Sequence, residues 1–173
     1  NVNYHHLSGP VQRELTISEY IEHASRVIES NTINNGAKYI HACSNYLNAF
    51  PALFAARRLG IPFIYEVRGF WEITESSRKL GWENSDKYQV DKQLETLLVQ
   101  SADVVITLTE AMKAEIVSRG VQADRIFVAP NAVDLDKFVA QPMNLELKTE
   151  LGLHEELTIG YVGSIVDYEG LDD

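Results

Sequence analysis

Asp103-Val-Val-Ile-Thr-Leu108 is the cleanest strand signal in the chain, and together with the next twenty-odd residues, through Pro130, it decides the fold. Thr109 stands where an N-cap belongs, Met112 and Ile116 recur at helical spacing, and Arg119-Gly120 closes the helix with a cation and then a glycine. Ile126-Phe-Val-Ala129 is a second apolar run, ended by Pro130, which has no N–H to give to a ladder. Strand, helix and strand at this spacing make the unit from which parallel sheets are built.

The alternation extends in both directions. Thr16-Ile-Ser-Glu19 has the form of a capping box, and Ile17, Tyr20, Ile21, Ala24, Val27 and Ile28 then give one helical face, stopped by Asn34-Asn35-Gly36. Tyr39-Ile-His-Ala-Cys43 reads as a short buried strand. Leu47, Phe50, Leu53, Phe54 and Leu59 outline a helix with Pro51 in its first turn and Gly60 as its stop. Phe63-Ile-Tyr-Glu-Val67 is another strand. Residues 69–84 hold no clear period and read as a long loop with room for a short helix. Val90, Leu94, Leu97 and Leu98 mark an amphipathic helix ending near Ser101. Downstream, a short helix over 145–151 and a strand over 157–162 continue the series. The expected architecture is α/β, a Rossmann-like parallel sheet with helices on both faces.

Composition narrows the function. The 173 residues carry a net charge of −10 with dispersed cations, which argues against nucleic acid as a partner, because phosphate neutralisation needs a concentrated basic face. An anionic ligand must then be held by a local site rather than by the field of the whole protein. The single cysteine, Cys43, excludes an internal disulfide and suits a reducing compartment, so a cytoplasmic location is expected. No apolar run approaches the ~18 residues of a membrane span, and no signal peptide is visible. The chain starts at Asn1 and stops after Gly170-Leu-Asp-Asp173, and it reads as a piece of something longer.

Five predicted strands end in polar or glycine-containing segments, at residues 41–45, 68–72, 107–110, 131–134 and 163–167. In a parallel sheet these ends share one edge and face a common crevice. The richest is Tyr65-Glu-Val-Arg-Gly-Phe-Trp-Glu72. Glu66 interrupts an apolar strand, and a carboxylate there requires a partner; Arg68 lies two residues on, on the same side. That pair is either structural, or it presents an arginine to an anionic or hydroxyl-rich ligand with Trp71 as an apolar platform for a sugar ring. His41 is either a satisfied core histidine or a polar contact at the sheet edge. Gly160-Tyr-Val-Gly163-Ser164 has the form of a phosphate-cradling turn, or of a close strand–helix approach. The five histidines are scattered, with no paired Cys/His spacing, so neither a metal nor another cofactor is expected. No nucleophile elbow and no Walker lysine occur.

In chain order, His41-Ala-Cys-Ser-Asn45, Tyr65-Glu-Val-Arg-Gly-Phe-Trp-Glu72, Ala102-Asp-Val-Val-Ile-Thr-Leu-Thr-Glu110, Val128-Ala-Pro-Asn-Ala-Val-Asp134 with Phe138, and Ile159-Gly-Tyr-Val-Gly-Ser164 resemble glycosyltransferase family 4, the retaining enzymes of the GT-B fold. The resemblance runs over nearly the whole chain from about Lys38. It implies two Rossmann-like domains facing a cleft, with an acceptor mainly on the first and a nucleotide-sugar donor mainly on the second. Residues 1–152 then correspond to the acceptor-side domain without its first strand, and 153–173 to the opening strand and turn of the donor-side domain. The family's later paired-glutamate motif, which contacts the donor, lies outside this sequence. Many members have a histidine where this chain has Arg68, and an arginine and a lysine for the donor diphosphate where this chain has Ser164 and Glu169. The diphosphate is therefore expected to find its partners elsewhere, or to sit in a different geometry.

The expected function is transfer of a sugar, with retention, from a nucleotide-sugar donor to an acceptor. The resemblance implies Arg68 and Glu72 as catalytic residues, His41, Ser44, Asn45 and Trp71 at the acceptor, and Asn131, Gly163 and Ser164 at the donor. A nucleotide-sugar epimerase of related architecture and a non-catalytic binding module are the rivals. Residues 1–173 alone are expected to be inactive and to self-associate through open strand edges. Association with a membrane surface stays open.

Overall fold

The computed structural model describes residue 4, residues 15–153 and residues 157–165. Two compact units divide the chain after Pro130. The first contains helix α1 (Ile17–Asn34), strand β1 (Ile40–Cys43), α2 (Tyr46–Leu59), β2 (Phe63–Val67), α3 (Trp71–Arg78), α4 (Asp86–Ser101), β3 (Val104–Thr107), α5 (Glu110–Ser118) and β4 (Ile126–Val128). The four strands are all parallel, in the order β1-β2-β3-β4. This is the expected α/β fold, a Rossmann-like parallel sheet flanked by helices on both faces. Among the described residues no helix is long and apolar enough to cross a membrane.

The sheet covers its two faces unequally. Ile40, Ala42, Phe63, Tyr65, Val67, Val105, Thr107 and Ile126 form one face and are buried. They meet Ala49, Phe50, Leu53, Ala55 and Ala56 of α2 and Leu98 and Val99 of α4 in the core. Full burial of such side chains contributes ~1.5–3 kcal/mol each, so this face carries the stability of the unit. The alternate residues, His41, Cys43, Ile64, Glu66, Val104, Ile106 and Phe127, are half-buried or exposed. Because side chains alternate with period two, the register places all seven on the opposite face.

Local signals set the ends of the elements. Thr16 caps α1 in a complete capping box with Glu19. Gly60 ends α2 in the left-handed region, at φ 65°, where a side chain would be strained. Asp103 ties β3 to its neighbours: its Oδ2 accepts from Phe63 N and from Arg57 Nη1, both at 2.8 Å.

Three expectations need correction. Pro51 lies in the second turn of α2 rather than the first, since the helix begins at Tyr46, and Asn45 caps it through Leu47 N at 3.1 Å. That start is held from outside the helix: Glu95 Oε1 of α4 accepts from Tyr46 N at 2.7 Å. Residues 69–84 are more ordered than a loop, with α3 followed by a single 3-10 turn at Trp82–Asn84. Residues 157–162 form no strand. Leu157, Ile159 and Val162 are 91%, 88% and 102% exposed, and an apolar run becomes a strand only with a neighbour to pair and a face to bury.

The second unit, from Asn131 onward, contains α6 (Leu145–Glu150), capped by Asn144 through Leu147 N at 2.9 Å. The expected domain boundary at 152 falls inside this unit.

Candidate functional site

The end of β1 and the end of β2 build one polar cluster around Glu66. Its Oε1 accepts from Arg68 Nε at 2.8 Å. Its Oε2 lies 3.0 Å from His41 Nε2 and 3.5 Å from Cys43 Sγ. The backbone locks the two strand ends together: Ser44 N donates to Glu66 O at 2.9 Å, and Arg68 N donates to Ser44 Oγ at 3.2 Å. Register explains the convergence, since Cys43 is paired with Glu66 and His41 lies two residues back on the same face.

The electrostatics follow from these contacts. Partial burial pushes the Glu66 carboxyl up, but the bonds from Arg68 and Cys43 and the charges of Arg68 and His41 outweigh it and hold it below its ordinary 4.5. Burial and the adjacent Glu66 charge push the Cys43 thiol up. Arg68 is fixed at one nitrogen while its side chain stays 60% exposed. A guanidinium held this way is pre-oriented for an anionic or hydroxyl-bearing ligand.

The expected residues are only partly brought together. His41, Ser44 and Arg68 share the Glu66 cluster. Asn45 adjoins it, but its Oδ1 is engaged in capping α2. Trp71 lies at the start of α3, 56% exposed. Glu72 does not join Arg68: it is fully buried and pairs with Arg119 Nη2 at 2.7 Å. Arg119 also bonds Glu115 at 3.0 Å, and its guanidinium sits 4.3 Å over the Phe70 ring. An enclosed carboxylate of this kind anchors α3 to the end of α5.

In the second unit Asn131, Gly163 and Ser164 are exposed. Ser164 O accepts from the Tyr161 hydroxyl at 2.9 Å, and a Cβ at Gly163 would meet that same hydroxyl at 2.6 Å. A side chain at Gly163 would displace the exposed Tyr161 ring from this position. The unit also has a shallow apolar hollow of about 460 Å³ between α6 and Leu153, Leu157 and Thr158, lined also by Met143, Leu147 and Leu151 and by none of the expected site residues.

Sequence reasoning missed Cys43 as a neighbour of Glu66, Arg119 as the partner of Glu72, and a second buried carboxylate, Glu95. The signal for Cys43 was present, because His41-x-Cys43 on a strand puts both side chains on one face. Arg119 read only as a helix-ending cation. Glu95 accepts from Tyr46 N and from the Tyr65 hydroxyl at 2.5 Å, and nothing local announces that pairing.

Residues 4–132 match the glycosyl transferase 4-like domain family. The chain belongs to that family. Comparison with curated proteins gives no match. Among solved structures, the family member resembles a putative UDP-N-acetylglucosamine 2-epimerase from Listeria monocytogenes at TM-score 0.55 and 16% identity, over 81% of this chain and 35% of that one. It also resembles the S. aureus MnaA–UDP co-structure at TM-score 0.50 and 18% identity, over 79% of this chain and 35% of that one. UDP-GlcNAc 2-epimerase from Neisseria meningitidis bound to UDP-GlcNAc aligns at TM-score 0.49 and 14% identity, over 68% of this chain and 29% of that one. The chain thus spans about a third of the length of these solved relatives. The likeness to these structures is one of fold alone.

Proposed function

We propose that this domain belongs to a glycosyltransferase that moves a sugar from a nucleotide-sugar donor to an acceptor with retention of configuration. The observation that carries the reading is Arg68: a cation at a strand end, pinned at Nε by Glu66 and open over most of its surface. Open α/β sheets place ligands at that end of their strands. In this reading Arg68 stabilises charge that develops as the bond to the leaving diphosphate lengthens, the largest usual catalytic contribution at such sites. His41 and Ser44 contact acceptor hydroxyls beside it, Asn45 holds the start of α2 in register, and Trp71 offers its ring face to a sugar. Glu72 acts through the placement of α3 rather than by touching substrate. Asn131, Gly163 and Ser164 belong to the donor side, with backbone N–H groups the available partners for a phosphate.

Epimerisation of a nucleotide sugar is the second reading, and the solved relatives favour it: one is a putative 2-epimerase and another is a complex with UDP. Both readings need a nucleotide sugar, and they differ in the need for an acceptor. The full-length protein incubated with UDP-, GDP- and ADP-sugars separates them by NMR. Transfer predicts nucleotide release that depends on an added acceptor and a product with the donor's anomeric configuration. Interconversion of the donor sugar with no acceptor present would replace this reading with the second.

A further inference from the structure

The Glu66 cluster contains three donor atoms of different chemistry at the corners of one small triangle. His41 Nε2, Cys43 Sγ and a Glu66 carboxylate oxygen all lie within 4.8 Å of one another. Oε2 is 3.0 Å from the imidazole nitrogen and 3.5 Å from the sulfur. A tetrahedral zinc ion, with bonds of about 2.0 Å to nitrogen and oxygen and about 2.3 Å to sulfur, needs the nitrogen and oxygen about 3.3 Å apart and the sulfur about 3.5 Å from each. The two sides that meet at Oε2, 3.0 Å and 3.5 Å, are close to that size; the third, from the imidazole nitrogen to the sulfur, lies within 4.8 Å and closes by side-chain rotation when an ion binds. Arg68 bonds the other oxygen, Oε1, and so orients the carboxylate without occupying the corner that faces His41 and Cys43.

Two further features favour a cation. All three side chains come from adjacent strands rather than loops, so the backbone ladder sets their spacing. All three also lie on the less covered sheet face, with His41 37% and Glu66 16% exposed, so an ion has access to them. We propose that His41, Cys43 and Glu66 form a three-ligand site for a borderline-soft divalent cation of the zinc class, with a fourth position left to water or to an oxygen of a bound ligand. Imidazole and thiolate together disfavour magnesium and calcium, which take oxygen donors. On binding, the S–H bond of Cys43 breaks, the sulfur keeps the electron pair and forms the metal bond, and the proton goes to solvent. With the ion bound, its open fourth position takes the place of the direct hydroxyl contact of His41; the site itself does not depend on which reaction the protein performs.

The test is a cobalt(II) titration of the 173-residue chain. One equivalent of cobalt should bind with a thiolate-to-cobalt charge-transfer band in the near ultraviolet, and zinc should displace it. Cys43 is the only cysteine, so that band reports this site and not the other histidines, His5, His6, His23 and His154. Cys43→Ser should abolish the band, and His41→Ala and Glu66→Gln should each weaken binding at least tenfold. If Cys43→Ser fails to fold, the unmodified chain still decides: zinc should slow alkylation of Cys43 by an uncharged reagent at least tenfold. Absence of the band at saturating cobalt, a band whose affinity is unchanged by His41→Ala, or alkylation indifferent to zinc would each overturn the site.

Discussion

Five residues separate Glu66 from Glu72, and each is paired with an arginine, yet the two pairs occupy opposite environments. Glu72 and Arg119 have side-chain exposures of 0% and 3%. Glu66 is 16% exposed and its partner Arg68 60%. In the buried pair, Glu72 Oε2 and Arg119 Nη1 are enclosed with no hydrogen-bond partner among the described residues. There desolvation is severe, and each charge is tolerable only because the other is present. At the open pair, water screens both groups and the ion pair itself adds little to stability. The difference teaches that one arginine is committed to the fold while the other, though paired, keeps most of its side-chain surface open.

The largest effect should come from breaking the buried pair. Arg119→Ala leaves the Glu72 carboxylate uncompensated, and urea denaturation should show a loss of ~3–5 kcal/mol. Adding Glu72→Leu to Arg119→Met should recover much of that loss, because two apolar groups of similar volume need no partner. If Arg119→Ala unfolded at the wild-type midpoint, the assignment of this pair to the fold would be wrong.

Opposite pH slopes at two other carboxylates are the next test. Glu66 has a folded pKa below its ordinary 4.5, so the unfolded chain holds its proton more tightly. Its contribution is complete above 4.5 and is lost as pH falls through the folded value. Glu95 has the reverse sign. Burial, outweighing the bonds from Tyr65 and Tyr46 N, raises its pKa above 4.5, and stability tied to its protonated form is lost as pH rises beyond 4.5. Urea midpoints measured from roughly pH 3 to pH 8 should show Glu66→Gln losing its deficit toward acid pH and Glu95→Gln gaining on the wild type toward neutral pH. Parallel curves for the two variants would contradict the assignment of one group to the sheet edge and the other to the interior.

Trp71→Ala should have the smallest effect on stability, within ~0.5 kcal/mol, because its ring is largely exposed and on no buried interface. In the full-length protein it should raise the acceptor KM several-fold with little change in kcat. A large fall in the urea midpoint with KM unchanged would assign the ring to packing instead.

Much of this was legible in the chain. The strand–helix–strand run from Asp103 to Pro130 contained its own caps and stops, and the structure matches it to within a residue or two. The Glu66–Arg68 pair was legible for the same reason: period-two alternation puts both on one side, and a carboxylate inside an apolar strand demands a partner. Glu72–Arg119 was not legible, since the partners are 47 residues apart and only tertiary packing joins them. The partner of the first helical N–H of α2 was not legible either, since Glu95 lies 49 residues away. At 157–162 the apolar pattern was present, but among the described residues of that unit no strand pairs with it. His41, Cys43 and Glu66 fell between these cases, with the alternation visible and the cross-strand register not.

Arg68→Lys, made in the full-length protein and assayed for both turnover and unfolding, tests the central comparison most directly. Lysine keeps the charge and loses the planar fork that bonds Glu66 through Nε and leaves the rest of the guanidinium exposed. The expected result is a fall in kcat/KM of roughly tenfold or more with no resolvable change in the urea midpoint. A variant that unfolded earlier and turned over nucleotide sugar at the wild-type rate would make Arg68 a second structural arginine, like Arg119, and would remove the basis for placing a ligand at this strand end.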